Sequence, residues 1–143
     1  MPSTPYESAT LLIRLYELRR EPTMREARTW FSLSFNPSTF DEVLQTVMGP
    51  NSANYRMVTS YWDMAASFVL NGAIDEQMFN DANGEQLGVF AKMEPFLSDY
   101  RARTGNPRYL SQLEQIVMRR PGAKEQLAAM REWFKQRAVA TTK

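Results

Sequence analysis

The stretch that decides the fold runs from Asn54 to Asn71 and reads NYRMVTSYWDMAASFVLN. Wound as an α-helix at about 100° per residue, it puts its polar side chains on one stripe and leaves an apolar sector of roughly 200°. An ordinary surface helix has an apolar face of about half that width, so this helix needs neighbours on more than one side. We therefore predict that 54–71 is the central helix of an all-α domain. The polar stripe consists of Arg56, Thr59, Ser60, Asp63, Ser67 and Asn71.

The composition limits both the compartment and the chemistry. The chain has 143 residues, 43% of them hydrophobic and 23% charged, as is typical of one globular domain with its own core. It contains no cysteine and no histidine, which excludes disulfide frameworks, thiolate zinc sites and histidine-based catalysis. We predict a cytoplasmic protein without a cofactor or a metal site. We predict no membrane span, because the apolar run 9–18 contains Arg14 and Glu17.

Capping residues and prolines divide the first third of the chain into helices. Three pairs of Thr and Glu, spaced three residues apart, have the pattern of a capping box at a helix start. Pro22 is expected to end a first helix that runs to about Arg20. The stripe that this helix is expected to bury consists of Leu11, Leu12, Leu15 and Leu18. The capping-box pairs are Thr4 with Glu7, Thr23 with Glu26, and Thr39 with Glu42.

Similar signals mark the helices after the central one. Gly72 is placed to close the central helix in the left-handed conformation, and Asp75 is placed to cap the helix that follows. Pro95 predicts a kink or two abutting helices. Gly105, Asn106 and Pro107 have the pattern of a C-cap, an N-cap and a first helical residue. A last helix is predicted over about 123–138.

The order of these elements favours one compact bundle. The connections are a few residues long, and no stretch alternates apolar and polar residues for long enough to predict a strand. The predicted fold class is all-α, a single compact multi-helix bundle of about six to eight helices around the central helix at 54–71. We assign 1–143 to one helical domain, with 139–143 as a disordered tail.

Four segments carry a resemblance to a known group of proteins. They are MREAR from position 24, YW at 61–62, NGAID from position 71 with the acidic and aromatic stretch after it, and DYRARTGNP from position 99. Together they resemble an uncharacterised family of small bacterial all-helical proteins, a domain of unknown function, over residues 6–118. The resemblance implies an all-α fold and a bacterial origin, and it supplies no activity and no catalytic residue. Some members of such groups have an N-terminal membrane helix, and we expect this chain to depart from that pattern.

Asp63 is the candidate for catalysis. It lies among aromatic residues in YWDMAA, where burial would raise its pKa and suit it to act as a general base. The helical wheel places it on the polar stripe, which favours a solvated or helix-paired carboxylate instead. A pocket that holds Asp63 with a raised pKa would favour an enzyme, whereas an exposed Asp63 with an ordinary pKa would count against one. We predict no catalytic residue and no enzyme.

The charge distribution gives the main functional hypothesis. Residues 51–100 carry 2 basic and 7 acidic side chains, and residues 101–143 carry 10 basic and 3 acidic ones. We predict a non-catalytic helical protein-interaction or regulatory module that self-associates, with the acidic middle meeting the basic C-terminal helix across a symmetric interface. The alternative is a nucleic-acid-binding protein that uses this helix. A third interpretation is that the charges pair within one molecule or remain solvated.

The candidate residues for binding a protein partner or an anion are all basic. Those on the last helix fall within about 60° of one another on the helical wheel, beside an apolar edge. Two arginines just before Gly105 would either clamp a phosphate or carboxylate or complement the dipole at a helix C-terminus. The predicted set is Arg120, Lys124, Arg131 and Lys135, together with Arg101 and Arg103.

Overall fold

The computed structural model describes residues 2–142, with side chains described through residue 138. Within residues 2–142 every regular element is helical and no strand is present, so the predicted all-α fold is confirmed. In this part of the chain, no helix combines the length and the apolar character that a membrane crossing requires. The helices are α1 (Pro5–Arg20), α2 (Pro22–Leu33), α3 (Phe40–Met48), α4 (Ser52–Leu70), α5 (Glu76–Ala82), α6 (Glu85–Met93), α7 (Leu97–Thr104), α8 (Ser111–Met118) and α9 (Ala123–Thr142).

The helix α4 is the centre of the bundle, as predicted for 54–71. Its Val58, Trp62 and Ala65 are completely or almost completely buried. Both α2 and α8 pack against α4, because its wide apolar sector offers room for two neighbouring helices. Tyr61 Oη donates a hydrogen bond to the carbonyl of Leu15 at 2.6 Å, which attaches α1 to the same centre.

Local capping determines where α1 and α3 begin. Thr4 Oγ1 accepts a hydrogen bond from the amide of Glu7 at 3.1 Å, and the amide of Thr4 donates to the Glu7 carboxylate at 2.9 Å. This pair is the predicted capping box. Thr39 Oγ1 likewise accepts from the amide of Glu42 at 3.2 Å. The predicted starts of both helices are therefore confirmed.

The capping box predicted at Thr23 and Glu26 is wrong. The helix α2 begins at Pro22, and the carboxylate of Glu21 accepts from the amide of Met24 at 3.0 Å. Proline at the first helical position has a φ suited to the helix, so α2 starts before Thr23. Thr23 therefore lies inside the first turn, where it cannot act as the N-cap.

The turn between α4 and α5 has the predicted conformation. Gly72 adopts a φ of 81°, and the amide of Ala73 donates to the carbonyl of Phe68 at 2.8 Å. This hydrogen bond, which spans five residues, and the left-handed glycine are two features of a Schellman motif at a helix C-terminus. Asp75 Oδ2 accepts from the amide of Met78 at 2.9 Å, which confirms Asp75 as the N-cap of α5.

Proline and glycine also shape the chain on either side of α7. A 3-10 turn, Glu94–Phe96, separates α6 from α7, so the interruption predicted at Pro95 is confirmed. Gly105 follows α7 with a φ of 68°, as expected for a left-handed C-cap. The helices are therefore interrupted at both predicted positions.

The prediction that Pro107 starts the next helix is wrong. Leu110 adopts a left-handed φ of 55°, and α8 begins only at Ser111. Asn106 Oδ1 accepts from the amide of Arg108 at 3.1 Å, which holds the intervening residues in a turn. The competing turn therefore delays the helix that the proline pattern predicted.

The last helix packs across α6. A Cβ atom on Gly88 of α6 would lie 3.2 Å from the ring of Phe134, so the missing side chain permits this close approach. Leu127 of α9 is fully buried. The tail predicted as disordered is 139–143. The helix α9 includes 139–142, but the side chains of these residues and the whole of Lys143 lie outside the described residues.

Candidate functional site

The helix α1 lies on the surface and exposes several large apolar side chains. Ser8 and Leu15 point into the bundle and are buried. On the outward side Tyr6 and Ile13 are 80% and 59% exposed, and on the flank of the helix Tyr16 is 52% exposed. The exposed polar residues Thr10, Glu17 and Arg20 share the outward side. A row of exposed aromatic and branched aliphatic side chains is typical of a surface that contacts another molecule. We call Tyr6, Ile13 and Tyr16 the α1 outer face.

The predicted buried stripe of α1 is partly wrong. Leu15 is buried, but Leu18, which the pattern places in the core, is 51% exposed. Arg19 turns inward beside it, and its guanidinium carbon lies 5.5 Å from the centre of the Trp62 ring. An aromatic face stabilises a cation while the methylene stem of arginine covers apolar surface. Arg19 therefore occupies the inward position that the sequence assigned to Leu18.

Hydrogen bonds hold α1 to the bundle from its inner side. Ser8 Oγ accepts from the amide of Asp75 at 3.0 Å and lies 2.7 Å from Ser3 Oγ. The amide of Ser3 donates to the carbonyl of Gly72 at 2.8 Å. These bonds join the start of α1 to the turn before α5. The α1 outer face is thus presented by a helix whose position is fixed.

A cleft of about 730 Å³ lies between α4 and the turn that precedes α8. The rings of Tyr100 and Tyr109 are stacked along it with their centres 4.1 Å apart. Asp63 and the left-handed Leu110 also line it. Asp63 is therefore neither on an open surface nor in the core.

The carboxylate of Asp63 caps the helix α8 from a neighbouring helix. Its Oδ1 accepts from the amide of Leu113 at 3.0 Å, and the Gln112 side chain, in the orientation that satisfies both groups, donates to Oδ2 at 2.9 Å. Burial raises the pKa of Asp63, while the amides of Leu113 and Gln112 and the nearby Arg101 oppose that change. A position in a cleft together with a raised pKa of Asp63 is the condition that favours an enzyme. Both carboxylate oxygens of Asp63, however, already accept hydrogen bonds within the fold.

Of the two arginines predicted before Gly105, the structure uses one within the fold. Arg101 Nη2 donates to the carbonyl of Tyr109 at 2.8 Å and to the Glu114 carboxylate at 3.0 Å. Its guanidinium thus holds the turn before α8 against α7. Arg103 is exposed on α7. The two residues therefore do not form one anion-binding pair.

The four basic residues predicted at the C-terminal helix fall into two groups. Lys124 and Lys135 are exposed. Arg131 is half-buried and pairs with Glu94 at 2.9 Å. Arg120 is half-buried too, and its Nε and one Nη atom are buried without an acceptor among the described residues. The structure therefore leaves the two lysines as the accessible charges of this set.

The acidic middle and the basic C-terminal segment meet within one molecule. Arg119, just after α8, pairs with Glu76 of α5 at 2.8 Å, and both side chains are in part exposed to solvent. Arg131 pairs with Glu94, as described above. Exposed ion pairs contribute about 0–1 kcal/mol to the free energy of unfolding, so this pair affects the local charge more than the stability. These contacts neutralise part of the charge that was expected to act between molecules.

Lys92 is a buried charge that the sequence analysis missed. It is 6% exposed, and its Nζ donates to the carbonyls of Phe31, Phe35 and Ser32 at 2.7, 2.8 and 3.0 Å. Burial lowers the pKa of Lys92 to about 8, so it remains mainly an ammonium at pH 7. The cation closes the C-terminal end of α2, where it complements the helix dipole. Its position inside a helical apolar pattern, QLGVFAKM, was the available signal.

Comparison with known proteins gives a family and no activity. No curated protein and no solved structure matches this chain. The model of one family, described as a domain of unknown function (DUF4760), matches residues 6–119. That range contains α8 and everything between Tyr6 and Arg119, and it excludes Arg120, Lys124, Arg131 and Lys135. Because the match covers most of the chain, this protein belongs to the DUF4760 family.

Proposed function

We propose that this protein is a non-catalytic helical interaction module that self-associates through the α1 outer face. The observation that carries the proposal is the row of exposed Tyr6, Ile13 and Tyr16 on a helix whose inner side is attached to the bundle. Tyrosine is among the side chains that interfaces bury most effectively, and exposed branched aliphatics gain from the same burial.

A second copy of the chain suits this face because α1 is self-complementary. Its N-terminal end carries Tyr6 and the acidic Glu7, and its C-terminal end carries Arg19 and Arg20. In an antiparallel pair centred on Ile13, Tyr6 lies opposite Arg20 of the second copy, since both are seven residues from the centre. That arrangement offers two cation–π contacts and opposes the two helix dipoles, both of which are favourable.

The size of this surface predicts a weak dimer. The helix has 16 residues, which corresponds to about 24 Å at 1.5 Å per residue. Two helices of that length bury less than the ~1,200–2,000 Å² of a stable complex. We therefore expect monomer and dimer in an equilibrium that depends on protein concentration.

Molar mass in solution, measured over a concentration series, tests the proposal. The wild type should approach twice the monomer mass as its concentration rises, whereas Ile13→Asp should remain a monomer. Met48→Asp is the matched control, because Met48 is an apolar side chain on α3 that is 84% exposed. A wild type that stays monomeric throughout, or equal effects of the two variants, would overturn the proposal.

Salt distinguishes this interface from the one first expected from charge. The α1 outer face is apolar at its centre, so the dimer should persist between about 0.1 M and about 0.5 M salt. A dimer held by the acidic middle and the basic C-terminal segment should dissociate over that range. Dissociation at high salt would therefore favour the charge interface over α1.

Nucleic-acid binding through α9 is the second candidate, supported by the exposure of Lys124 and Lys135. Binding of random DNA or RNA should then weaken uniformly, with a smaller salt dependence, when both lysines are changed to Ala. Absence of binding at low salt would remove this candidate.

We also propose that the protein acts in the cytoplasm of a bacterium. The lack of cysteine supports a reducing compartment. The resemblance of its sequence segments to small bacterial helical proteins supports the source.

A further inference from the structure

Four arginines surround one cavity at the joint between α1 and α2. The volume of this cavity is about 370 Å³. Positive charges gathered around one space repel one another unless negative charge is supplied nearby. The residues that line the cavity are Tyr16, Arg19, Arg20, Arg25 and Arg28. We call this space the arginine cavity.

Carboxylates of the chain offset only part of this charge. Arg28 pairs with Glu85 at 2.9 Å, and the hydrogen bond to Glu85 raises the pKa of Arg28. In the part of the chain that the structure describes, Arg19, Arg20 and Arg25 form no salt bridge. Three positive charges of the arginine cavity are therefore not paired with any carboxylate of the described residues.

One wall of the arginine cavity is held rigidly. Glu85 accepts from Arg28 Nε at 2.9 Å and from Trp62 Nε1 at 3.0 Å. Arg28 Nη1 in turn donates to the carbonyl of Arg19 at 3.2 Å. These bonds fix the backbone of α1 beside α2 before any ligand arrives. Such preorganisation reduces the entropy that a ligand would otherwise have to offset.

One hydrogen-bond donor of Arg19 lacks an acceptor within the described part of the chain. Its guanidinium carbon lies 5.4 Å from the centre of the Tyr16 ring and 5.5 Å from that of Trp62. Its Nε is buried and donates to no acceptor within the described part of the chain. Buried donors in folded proteins almost always have a partner, so this one calls for an explanation. Because this Nε is shielded from solvent, an anion in the arginine cavity would reach it only after the Arg19 side chain turns toward the cavity.

We propose that the arginine cavity binds a small phosphorylated ligand through its phosphate group. Guanidinium groups bind phosphate oxygens with paired hydrogen bonds, and several arginines can share one phosphate. The cavity volume lies within the roughly 300–1,000 Å³ of small-molecule sites, which leaves space beside the phosphate. Tyr16 lines that space beside the arginines.

Titration calorimetry with inorganic phosphate and with pyrophosphate tests the site. The wild type should bind pyrophosphate saturably, and Arg25→Ala and Arg19→Gln should each weaken binding by about tenfold, which corresponds to ~1.4 kcal/mol. Arg103→Ala is the matched control, since Arg103 is an exposed arginine on α7. The indole N–H of Trp62, bonded to Glu85, should shift in NMR spectra as the cavity fills.

Several results would overturn the proposal. No saturable binding at millimolar concentration, or equal weakening by Arg103→Ala, would mean that the cavity is not an anion site. Arg25→Ala keeps the test valid if Arg19→Gln lowers stability, because Arg25 is exposed. Tighter binding of a mononucleotide than of inorganic phosphate would identify an organic phosphate as the ligand, and equal binding would identify free phosphate. Neither variant touches Ile13, so failure here is separable from failure of the α1 dimer.

Discussion

Replacing Lys92 by methionine removes the cation that closes the C-terminal end of α2. The carbonyls of Phe31 and Phe35 accept from Lys92 at 2.7 and 2.8 Å in a buried environment. Helix C-termini leave their last carbonyls without partners inside the helix, so the carbonyl of Phe31 in the last turn of α2 depends on an outside donor, and Phe35 just after the helix shares that donor. Methionine keeps most of the length of the side chain and provides no donor. The substitution therefore tests the capping role with little change in packing.

Two opposing effects determine the size of the loss. Each buried carbonyl without a partner costs about 1–3 kcal/mol. Removing the ammonium also removes the cost of burying a charge, a cost that is evident in the lowered pKa of Lys92. Lys92→Met also removes the cation that now lies 4.5 Å from the centre of the Phe134 ring, because the methionine side chain ends where the lysine Cε stands. We expect a net loss of about 2–3 kcal/mol, or roughly 5–10 °C in melting temperature.

Urea unfolding at pH 7 measures this loss. Lys135→Met is the matched control, because Lys135 is exposed and lines the same groove as Lys92; it should change stability by less than about 0.5 kcal/mol. Hydrogen exchange should accelerate at the last turn of α2 in Lys92→Met alone. If Lys92→Met is as stable as the wild type, the carbonyls of α2 do not depend on this cation and the reasoning fails.

Two further predictions concern Asp63. Asp63→Ala should lower stability by about 1–2 kcal/mol, because the amide of Leu113 loses its acceptor, whereas Asp63→Asn keeps an oxygen and should be at least as stable as the wild type in urea unfolding. Burial raises the pKa of Asp63 above its ordinary value of 3.8, so its contribution to stability is complete below that pH and is lost as the pH rises through the folded-state value. Asp63→Asn, which does not titrate, should therefore gain stability relative to the wild type as the pH rises from about 4 to 7; the opposite trend would mean that the pKa is lowered.

Sequence reasoning succeeded where a structural choice depends on neighbours in the chain. The capping box of Thr4 and Glu7 acts across three residues, and so does the cap that Asp75 provides. Gly72 and Pro95 act through their own backbone angles. The central helix was predicted for a related reason, because an apolar sector of that width has no other stable arrangement in water. Each of these features can be read from a short window.

The candidate sites depend on contacts that no short window contains. Lys92 binds carbonyls 57–61 residues away in the sequence, and Asp63 caps a helix that begins about fifty residues later. The arginine cavity forms only because α2 folds back beside α1, which brings Arg25 and Arg28 next to Arg19. Counting charged residues along the sequence assigned the positive charge to the C-terminal segment. Such a count does not show which charges become paired in the fold. Even the delayed start of α8 comes from a turn that competes with the helix.

Tyr16 links the two proposals. It belongs to the α1 outer face and also lines the arginine cavity, and Arg20 lies over its ring at 5.8 Å. A phosphate that draws Arg20 into the cavity makes it unavailable to Tyr6 of a second copy, so ligand binding and dimerisation should oppose each other. Linkage requires the same factor in both directions, and a coupling of about 1 kcal/mol corresponds to roughly fivefold. Saturating pyrophosphate should therefore weaken the dimer about fivefold in wild type and not in Arg20→Ala. An unchanged wild-type dimer would show that the two surfaces act independently.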